Sequence, residues 1–409
     1  MMSHLIIGKM FRTYRKPRIL LFLTLIVLSS GSWVHGQNRK MSFWDVQRKG
    51  ANWFNHVPTK EWMMAAKRAG IQVVRLAPNK WKSAERDFLL GNADHFTGLV
   101  EKDFNVLKTV LDQADSIGLR IVLTMLSLPG SRWRQQNGNQ FDFRIWRDSK
   151  YVAQSALFWK ELASRLKRHP AVVGYNILNE PIPERASGIT DARNTDFVKW
   201  YETVKNTPAD LNLFNDSIVH AIREIDTETP IVLDCGWWSI SYAISYQIPM
   251  PYDNIVYAIH MYEPYEYTNF KSNNGQYRYP VDTIRTDEDS RNNVLLNYVT
   301  LKQILDPVAQ WQKKFNIPAN KIFVSEFGCN RRVKGAAAYL GDLIKIFNEH
   351  GWHWAFYSFR EDEWDGMDYE MGTRPAGEAY WNAIEQEKIP TPKRGNNEIW
   401  DVFERELVK

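Results

Sequence analysis

The sequence repeats one unit: an amphipathic helical run, a glycine or proline, and then a short β-branched strand that ends in polar residues. Thus EWMMAAKRAG leads into IQVVRLAPN, and NVLKTVLDQADSIG leads into LRIVLTM. Alternating helices and strands predict parallel strands, and the glycine after a helix supplies a left-handed cap. The candidate strands lie in KGANWF, IQVVRLAPN, LRIVLTM, AVVGYNILNEP, IVLDCGWW, IVYAIHMYEP, KIFVSEFG and WHWAFYSF.

Eight such units predict a closed α/β barrel of the (β/α)8, or TIM, type. A doubly wound sheet is the competing fold, but it calls for a glycine-rich phosphate turn after the first strand, and KGANWFNHV has none. The sequence also lacks a Ser/Gly-rich or Pro-rich linker. We therefore expect a single catalytic domain over residues 37–409.

The first 36 residues have the pattern of a secretory signal peptide. A basic segment, residues 12–18, precedes the apolar run of residues 19–28. That run is too short to span a bilayer but suits a signal-peptide core, and small residues then allow cleavage before Gln37. We expect residues 1–36 to be removed and the protein to be secreted or periplasmic, with no membrane association. An uncleaved anchor is the disfavoured alternative.

Cleavage changes the charge of the chain. All five ionisable side chains of the leader are basic, so the formal net charge of +5 becomes 5 − 5 = 0. A neutral chain does not indicate a nucleic-acid partner or an acidic polymer. We expect a monomer without a cofactor. Cys235 and Cys329 could form a bridge, but two buried free thiols are the favoured alternative.

In a barrel of this type, the functional groups lie at the carboxyl ends of the strands. Polar residues end the second, fourth, sixth and seventh predicted strands. These residues are Arg75, Asn179, Glu180, His260, Tyr262 and Glu326. Two of them are carboxylates, as retaining glycoside hydrolysis requires: one nucleophile and one proton donor, about 5–5.5 Å apart.

The same residues resemble glycoside hydrolase family 5, the cellulase-type barrels. The resemblance covers nearly the whole chain after the leader. It rests on Arg75 after strand two, NEP after strand four, HMY after strand six and the glutamate of SEFG after strand seven. It implies a retaining β-glycosidase.

The sequence departs from the family pattern in two places. Leu126 stands where the family carries a histidine after strand three, which puts one sugar-hydroxyl contact in doubt. The family's tryptophan at the end of strand eight is also absent, and Tyr357 or Phe359 takes its position in WAFYSF.

Each candidate has an expected role beside a structural alternative. Glu180 is predicted to be the acid/base and Glu326 the nucleophile, with Arg75 and Tyr262 donating hydrogen bonds to Glu326. The alternative for either glutamate is a structural acid.

Two further residues are predicted to support the pair. Asn179 is expected to bind the sugar 2-hydroxyl, or else to cap a turn. His260 is expected to orient Glu180 or share its proton. A metal site is rejected, because the chain offers no other cluster with ligand spacing.

Tryptophans in the predicted catalytic-face loops could stack on sugar rings, although each could equally be packing. The candidates are Trp133, Trp238 and Trp364, of which Trp364 is preferred. Trp237 adjoins Trp238. The long stretch 262–293 is predicted to wall one end of the cleft.

The sequence therefore predicts a secreted, metal-free retaining β-glycosidase that acts on a β-linked glucan or a related polysaccharide or oligosaccharide. The open alternatives are a β-mannanase of the same family and a barrel that binds carbohydrate without cleaving it.

Overall fold

Each of the eight predicted strands forms, and together they close into a parallel barrel. The computed structural model describes residues 40–285, 293–362, 365–386, 388 and 390–409. The barrel strands are β1 (Lys49–Trp53), β2 (Val73–Leu76), β3 (Arg120–Thr124), β4 (Val172–Asn176), β5 (Ile231–Asp234), β6 (Ile255–Met261), β9 (Ile322–Phe327) and β10 (His353–Phe356). A separate antiparallel pair, β7 (Thr283–Arg285) and β8 (Asn293–Leu295), lies outside the barrel. The predicted (β/α)8 fold is confirmed.

Helices surround the strands. Those longer than one turn are α1 (Lys60–Arg68), α2 (Glu101–Ile117), α3 (Ser149–Leu166), α5 (Phe197–Val204), α6 (Leu211–Arg223), α10 (Tyr298–Phe315), α11 (Ala336–His350), α12 (Glu378–Glu385) and α13 (Glu398–Leu407). Single turns are α4 (Pro183–Ala186), α8 (Tyr265–Thr268), α9 (Phe270–Asn273) and α7 (Gly236–Ser239), of which α7 has a left-handed backbone over most of its length. The predicted glycine caps are present, since Gly118 and Gly351 end α2 and α11 with φ of 77° and 68°.

The interior of the barrel is apolar towards the amino ends of the strands and polar towards their carboxyl ends. Side chains two residues apart on a strand point to the same side, so one strand contributes to both layers. Val73, Val122 and Val232 belong to one buried apolar cluster. Two residues further along the same strands stand Arg75, Thr124 and Asp234, which are also buried. The sequence period of two thus places a layer of polar groups at the carboxyl ends of the strands.

Trp44 closes the opposite end of the barrel. It lies in a short 3-10 helix, Met41–Asp45, and is fully buried among the interior residues of the strands. Its indole N–H donates to the carbonyl oxygen of Val173 at 3.0 Å, and its ring packs edge-on against Phe323 and His353. The repeat of helices and strands does not predict this plug.

Residues Asn38–Lys409 make up one compact unit. The predicted signal peptide, residues 1–36, lies outside the described residues. None of the helices in the described part of the chain has the length and hydropathy of a membrane span. The stretch 262–293, predicted as a long loop, contains α8, α9 and β7.

Candidate active site

Arg75, at the end of β2, is a fully buried cation at the centre of the polar layer. A buried charge needs charged partners, and the carboxylates of Asp234 and Glu326 supply them. Arg75 therefore fixes the relative positions of several strand ends. Its guanidinium donates to side-chain oxygens from five other strand ends: Asn52 (3.3 Å), Thr124 (3.3 Å), Asn176 (2.8 Å), Asn179 (2.7 Å), Asp234 (3.4 Å) and Glu326 (2.6 Å).

Glu326, near the end of β9, is held on both carboxylate oxygens. Arg75 Nη1 donates to Oε1 at 2.6 Å, and the hydroxyl of Tyr262 donates to Oε2 at 2.9 Å. Burial raises the pKa of Tyr262 well above its usual value, so the phenol keeps its proton. Both donors that the sequence assigns to Glu326 are therefore in hydrogen-bond contact with it.

Glu180 follows β4 in an unusual backbone conformation. Its φ is 51°, in the left-handed region that a non-glycine residue seldom adopts. Its backbone N–H donates to Asp234 Oδ2 at 3.1 Å, which helps to hold this conformation. The side chain is 19% exposed, so the carboxyl can be reached from the cleft. Such strain is common at functional sites.

The two glutamates differ in their electrostatic surroundings. Burial, with a smaller contribution from the negative charge of Asp234, raises the pKa of Glu180 to about 8, against the lowering effect of Arg75. Glu180 is therefore protonated at neutral pH. Glu326 instead accepts hydrogen bonds from a cation and a phenol. The site thus holds one glutamate with a raised pKa beside a second that accepts from two donors.

His260, near the end of β6, lies beside Glu180. Its Nδ1 lies 2.9 Å from Glu180 Oε1, and its Nε2 lies 3.5 Å from Asp234 Oδ2. Burial lowers the pKa of His260, so the ring is neutral at pH 7. Because Glu180 is protonated, its O–H donates to Nδ1, and the ring proton sits on Nε2 facing Asp234.

Asp234 is a member of this site that the sequence analysis does not identify. It lies at the end of β5, and it contacts Arg75, Asn176 and the backbone of Glu180. The signal is present in the sequence, since Asp234 is the acid within the strand end IVLDCGWW. The strand-end rule that predicts Arg75 and Glu326 applies equally to it.

One ligand atom each of Glu180, His260 and Glu326 lies within 4.8 Å of the others. An oxygen of Glu180 and an oxygen of Glu326 are thus close together across the cleft. The three residues could also be considered as metal ligands. Arg75 is 2.6 Å from Glu326, however, so a metal cation would be repelled by the guanidinium.

The structure also places two further candidates near the strand ends. Asn179 is buried and accepts from Arg75 through its side-chain carbonyl oxygen. Leu126 is buried in the core, and its backbone N–H donates to the side chain of Asn79 at 2.7 Å. No sugar contact is therefore expected from the Leu126 side chain.

Of the two aromatic candidates on the last strand, Tyr357 is the one beside the site. A Cβ added at Gly328 would lie 3.0 Å from the carbonyl oxygen of Tyr357 and 3.6 Å from the ring of Tyr262, so these two residues lie close together. The ring of Tyr357 lies 5.4 Å from that of Phe54. Phe359 instead packs against Trp62 and Trp400 in the core.

The predicted stacking tryptophans have different environments. Trp133 is half-buried after β3, and its indole N–H is buried without a partner among the described residues. Trp238 is half-buried after β5, with its ring 6.2 Å from that of Phe141. Trp364, the preferred candidate, lies outside the described residues. The sugar-binding roles of all three stay predictions.

The loop that carries Trp238 has a left-handed backbone at three consecutive residues. Trp237, Trp238 and Ser239 have φ of 44°, 57° and 64°. The buried carboxyl of Glu184, from α4, accepts from the backbone N–H of Trp237 at 3.0 Å and from the hydroxyl of Tyr246 at 2.6 Å. Burial raises the pKa of Glu184 to about 7. This contact joins the loops after β4 and β5.

Cys235 and Cys329 are both free and buried, as the favoured alternative predicts.

A groove of about 490 Å³ lies beside α1 and α12, and its lining includes Trp62 and Trp381. Neither Glu180 nor Glu326 lines this groove, so the groove is separate from the candidate catalytic pair.

A parallel barrel with two facing glutamates at the carboxyl ends of its strands defines a class of glycoside hydrolases. The sequence matches the Cellulase family, glycosyl hydrolase family 5, over residues 28–363. The chain belongs to this family.

Two curated proteins are similar to this chain over part of their own length. A beta-xylosidase of Phanerodontia chrysosporium is 21% identical over 275 residues, which are 66% of this chain and 51% of the relative. Endoglucanase 3 of Fibrobacter succinogenes is 28% identical over 133 residues, which are 32% of this chain and 17% of that protein. The chain thus spans about half or less of these relatives.

Solved structures share the fold over nearly their whole length. Endoglucanase Cel5A of Thermotoga maritima has a TM-score of 0.60 at 17% identity, covering 90% of this chain and 98% of that one. Cellulose synthase subunit Z of Clostridioides difficile has a TM-score of 0.57 at 16% identity, covering 87% and 99%. The Thermotoga enzyme has been solved with cellobiose and with mannotriose.

Proposed function

We propose that this protein is an exported, metal-independent retaining β-glycosidase that hydrolyses a β-linked glucan or a related polysaccharide. The observation that carries the proposal is the pair of glutamates: one oxygen of Glu180 and one oxygen of Glu326 lie within 4.8 Å of each other. Retaining enzymes hold their carboxyls about 5–5.5 Å apart, whereas inverting enzymes need about 6.5–9.5 Å to admit a water molecule.

In the first step, Glu326 attacks the anomeric carbon while Glu180 gives its proton to the leaving-group oxygen. The bond to the leaving sugar breaks, and a glycosyl ester forms on Glu326. Arg75 and Tyr262 orient the attacking carboxylate. The raised pKa of Glu180, about 8, supports its role as the acid.

In the second step, Glu180 acts as the base. It has lost its proton, so it removes one from a water molecule that attacks the anomeric carbon and releases Glu326. The neutral ring of His260, with Nδ1 2.9 Å from Glu180 Oε1, accepts from the protonated carboxyl and so holds it in place before the first step.

We assign Asn179 to the binding of a hydroxyl on the sugar ring. Arg75 binds its carbonyl oxygen, which leaves the NH2 group as the part that a sugar hydroxyl would meet. We assign this group to the 2-hydroxyl, where a hydrogen bond strengthens as positive charge develops on the ring.

Products formed in the presence of azide test the two roles. Glu180→Ala should still form the ester from a dinitrophenyl β-glycoside, and azide should then release the β-glycosyl azide. Glu326→Ala should be inactive without azide, and azide should give the α-product from the vacated face. Glu263→Ala, an acid outside the pair, is the control and should not depend on azide. NMR of the adducts decides, and the reversed pattern would reverse the assignment.

A polysaccharide panel tests the substrate class. Mixed-linkage glucan, carboxymethylcellulose, laminarin, xyloglucan and mannan would be digested and the products sized. Cleavage of mannan alone would favour a β-mannanase. Binding of one polymer without cleavage of any would favour a non-catalytic barrel.

Export is tested separately. The full-length chain expressed in a bacterial host should be recovered outside the cytoplasm with Gln37 as its first residue. Protein that keeps residues 1–36 would contradict the predicted cleavage.

A further inference from the structure

An aromatic surface carrying three arginines lies beside the loop that follows Glu180. Phe141 and Phe143 stack with their centroids 5.3 Å apart, and the ring of Trp238 lies 6.2 Å from that of Phe141. Three guanidiniums lie over these rings, and we call the whole set the arginine–aromatic platform. The centroid distances are 4.5 Å for Arg134 over Phe141, 5.0 Å for Arg185 over Phe141, 5.6 Å for Arg185 over Trp238 and 5.4 Å for Arg147 over Phe143.

None of these three arginines forms an ion pair with a described residue. Arg134 donates to the backbone carbonyl of Asn139 at 3.2 Å, and Arg147 donates to that of Ala186 at 3.5 Å. Arg134 and Arg147 are exposed and Arg185 is half-buried, so a ligand can reach all three.

Other arginines of the neighbouring loops do have carboxylate partners. Arg144 pairs with Asp142, the acid between the two stacked phenylalanines, and Arg193 pairs with Glu266. The charges of these acids are therefore already matched. The platform thus gathers positive charge over neutral rings, although the chain without its leader is neutral as a whole.

Packing alone does not explain this arrangement. A guanidinium over a ring is weakly attracted to it, but two guanidiniums that share the ring of Phe141 repel each other. An anion between them would turn that repulsion into attraction. Guanidinium binds carboxylate through two parallel hydrogen bonds, and aromatic faces cover the C–H faces of sugar rings. The combination fits a sugar that carries an acidic group.

The platform lies on the proton-donor side of the site. Arg185 is five residues beyond Glu180, in α4. The backbone N–H of Trp238 donates to the carbonyl oxygen of Pro181 at 3.4 Å, which ties the platform to the residue that follows the acid. The acid must touch the leaving-group oxygen, so surfaces next to it on the α4 side face the leaving part of the substrate.

We infer that the arginine–aromatic platform binds an anionic sugar, such as a uronate residue, in the leaving-group part of the substrate. The inference rests on the proposed function, because the role of Glu180 as the acid places the platform on the leaving-group side of the substrate. It assigns Arg134, Arg147 and Arg185 to substrate specificity.

The test compares matched substrates. Cellotetraose would be assayed beside the same tetrasaccharide with glucuronate at its two reducing-end positions, and beside a third form with glucuronate at its nonreducing end. The reducing-end acidic form should have the highest kcat/KM, by about five-fold, the upper range for a partly exposed ion pair. The preference should shrink as salt is raised. A sulfated counterpart shows whether carboxylate or sulfate is preferred, and preference for either one supports the inference.

Variants locate the effect. Arg185→Gln should lose most of the preference for the acidic form, and Arg134→Gln should lose part of it. Arg193→Gln is the matched control, because this arginine is already paired with Glu266. Its preference should equal that of the wild type. An equal loss in Arg193→Gln and Arg185→Gln would overturn the assignment to the platform.

The outcomes separate this inference from the proposed function. Cleavage of neutral and acidic forms at equal rates overturns the inference and leaves the hydrolase assignment intact. If no tetrasaccharide is cleaved, calorimetry with the glucuronate-containing disaccharide and with cellobiose decides. Tighter binding of the acidic disaccharide, lost in Arg185→Gln, supports the platform, and equal binding overturns it.

Discussion

Glu180 combines a left-handed backbone with a carboxyl whose pKa is raised to about 8. Both features depend in part on Asp234, which accepts from the backbone N–H of Glu180 and adds negative charge nearby. A proton donor is needed for the first step, so activity should fall as pH rises through about 8.

Asp234→Asn should move this alkaline limit to lower pH. Removal of a nearby like charge makes ionisation of Glu180 easier, by roughly one pH unit. Burial already lowers the pKa of His260, and loss of the negative charge of Asp234 lowers it further. The ring therefore stays neutral, and its titration does not contribute to the alkaline part of the pH profile. The pH profile of kcat/KM measures the shift. An unchanged alkaline limb, in a variant that folds, would show that Asp234 has no influence on the acid.

Glu180→Gln should stabilise the fold. The ordinary pKa of this carboxyl is 4.5, and folding raises it to about 8. Above pH 4.5 the unfolded chain loses this proton while the folded one keeps it, so the native acid opposes folding increasingly up to about pH 8. The variant should gain about 3–5 kcal/mol above pH 8, because each unit of pKa shift corresponds to about 1.4 kcal/mol, and little at acidic pH, below the ordinary pKa. Urea unfolding under both conditions measures this.

Glu326→Gln is the contrasting variant. It removes a charged partner of buried Arg75, so it should destabilise the fold at neutral pH. A gain in stability from Glu326→Gln equal to that from Glu180→Gln would contradict the asymmetry of the pair.

A site residue can be predicted from the sequence when it is a polar residue at the end of a recognisable strand. Arg75, Tyr262 and Glu326 each end a recognisable strand, and the structure has the contacts expected between them. Asp234 also ends a strand, but its contact with the backbone of Glu180 depends on the left-handed turn at Glu180, which no residue pattern predicts.

At the scale of elements, the loop after β5 is tightly constrained. Gly236 begins α7 where a side chain would have no room: an added Cβ would lie 1.9 Å from Glu184 Oε1 and 2.0 Å from the hydroxyl of Tyr246. The glycine therefore allows the buried acid and phenol to meet.

Gly236→Ala should disrupt this contact and displace Trp238. We expect a loss of about 1–3 kcal/mol in the free energy of unfolding, as for overpacking of a core, together with lower activity. Gly341→Ala is the control, because its Cβ would meet Val402 at an ordinary 3.8 Å within α11. The control should be neutral or gain about 0.5–1 kcal/mol. Equal effects of the two substitutions in thermal unfolding would contradict the prediction.

The elements differ in how well the sequence predicts them. Barrel strands are predictable because most of them follow a periodic helix and a glycine or proline. The helix predicted around 301–315 begins three residues earlier, at Tyr298, because Asn297 caps it. The pair β7 and β8 is not predicted, since three-residue strands carry too little periodicity to be distinguished from a loop.

At the scale of the whole molecule, the barrel has a chemical polarity from base to mouth. Apolar residues and the plug of Trp44 fill the base, and ionisable groups occupy the mouth. Stability and chemistry are thus separated along the barrel axis, as is general for this fold.

Trp44→Ala should test that separation. The substitution leaves a large cavity at the base, so it should cost about 3–5 kcal/mol of stability while the activity of each folded molecule changes little. Trp381→Ala, at a site that is 37% exposed, is the control and should change stability by less than about 1 kcal/mol. A large loss of kcat in folded Trp44→Ala would show that base and mouth are coupled.

The position of the plug also sets an order for biosynthesis. Trp44 leaves the ribosome before any barrel strand, yet its partner His353 is made 353 − 44 = 309 residues later. At about 5–20 residues per second, the first segment waits roughly 15–60 seconds for the surface on which it docks. Until then the base of the barrel stays open, and the apolar ring of Trp44 is without this part of its binding surface.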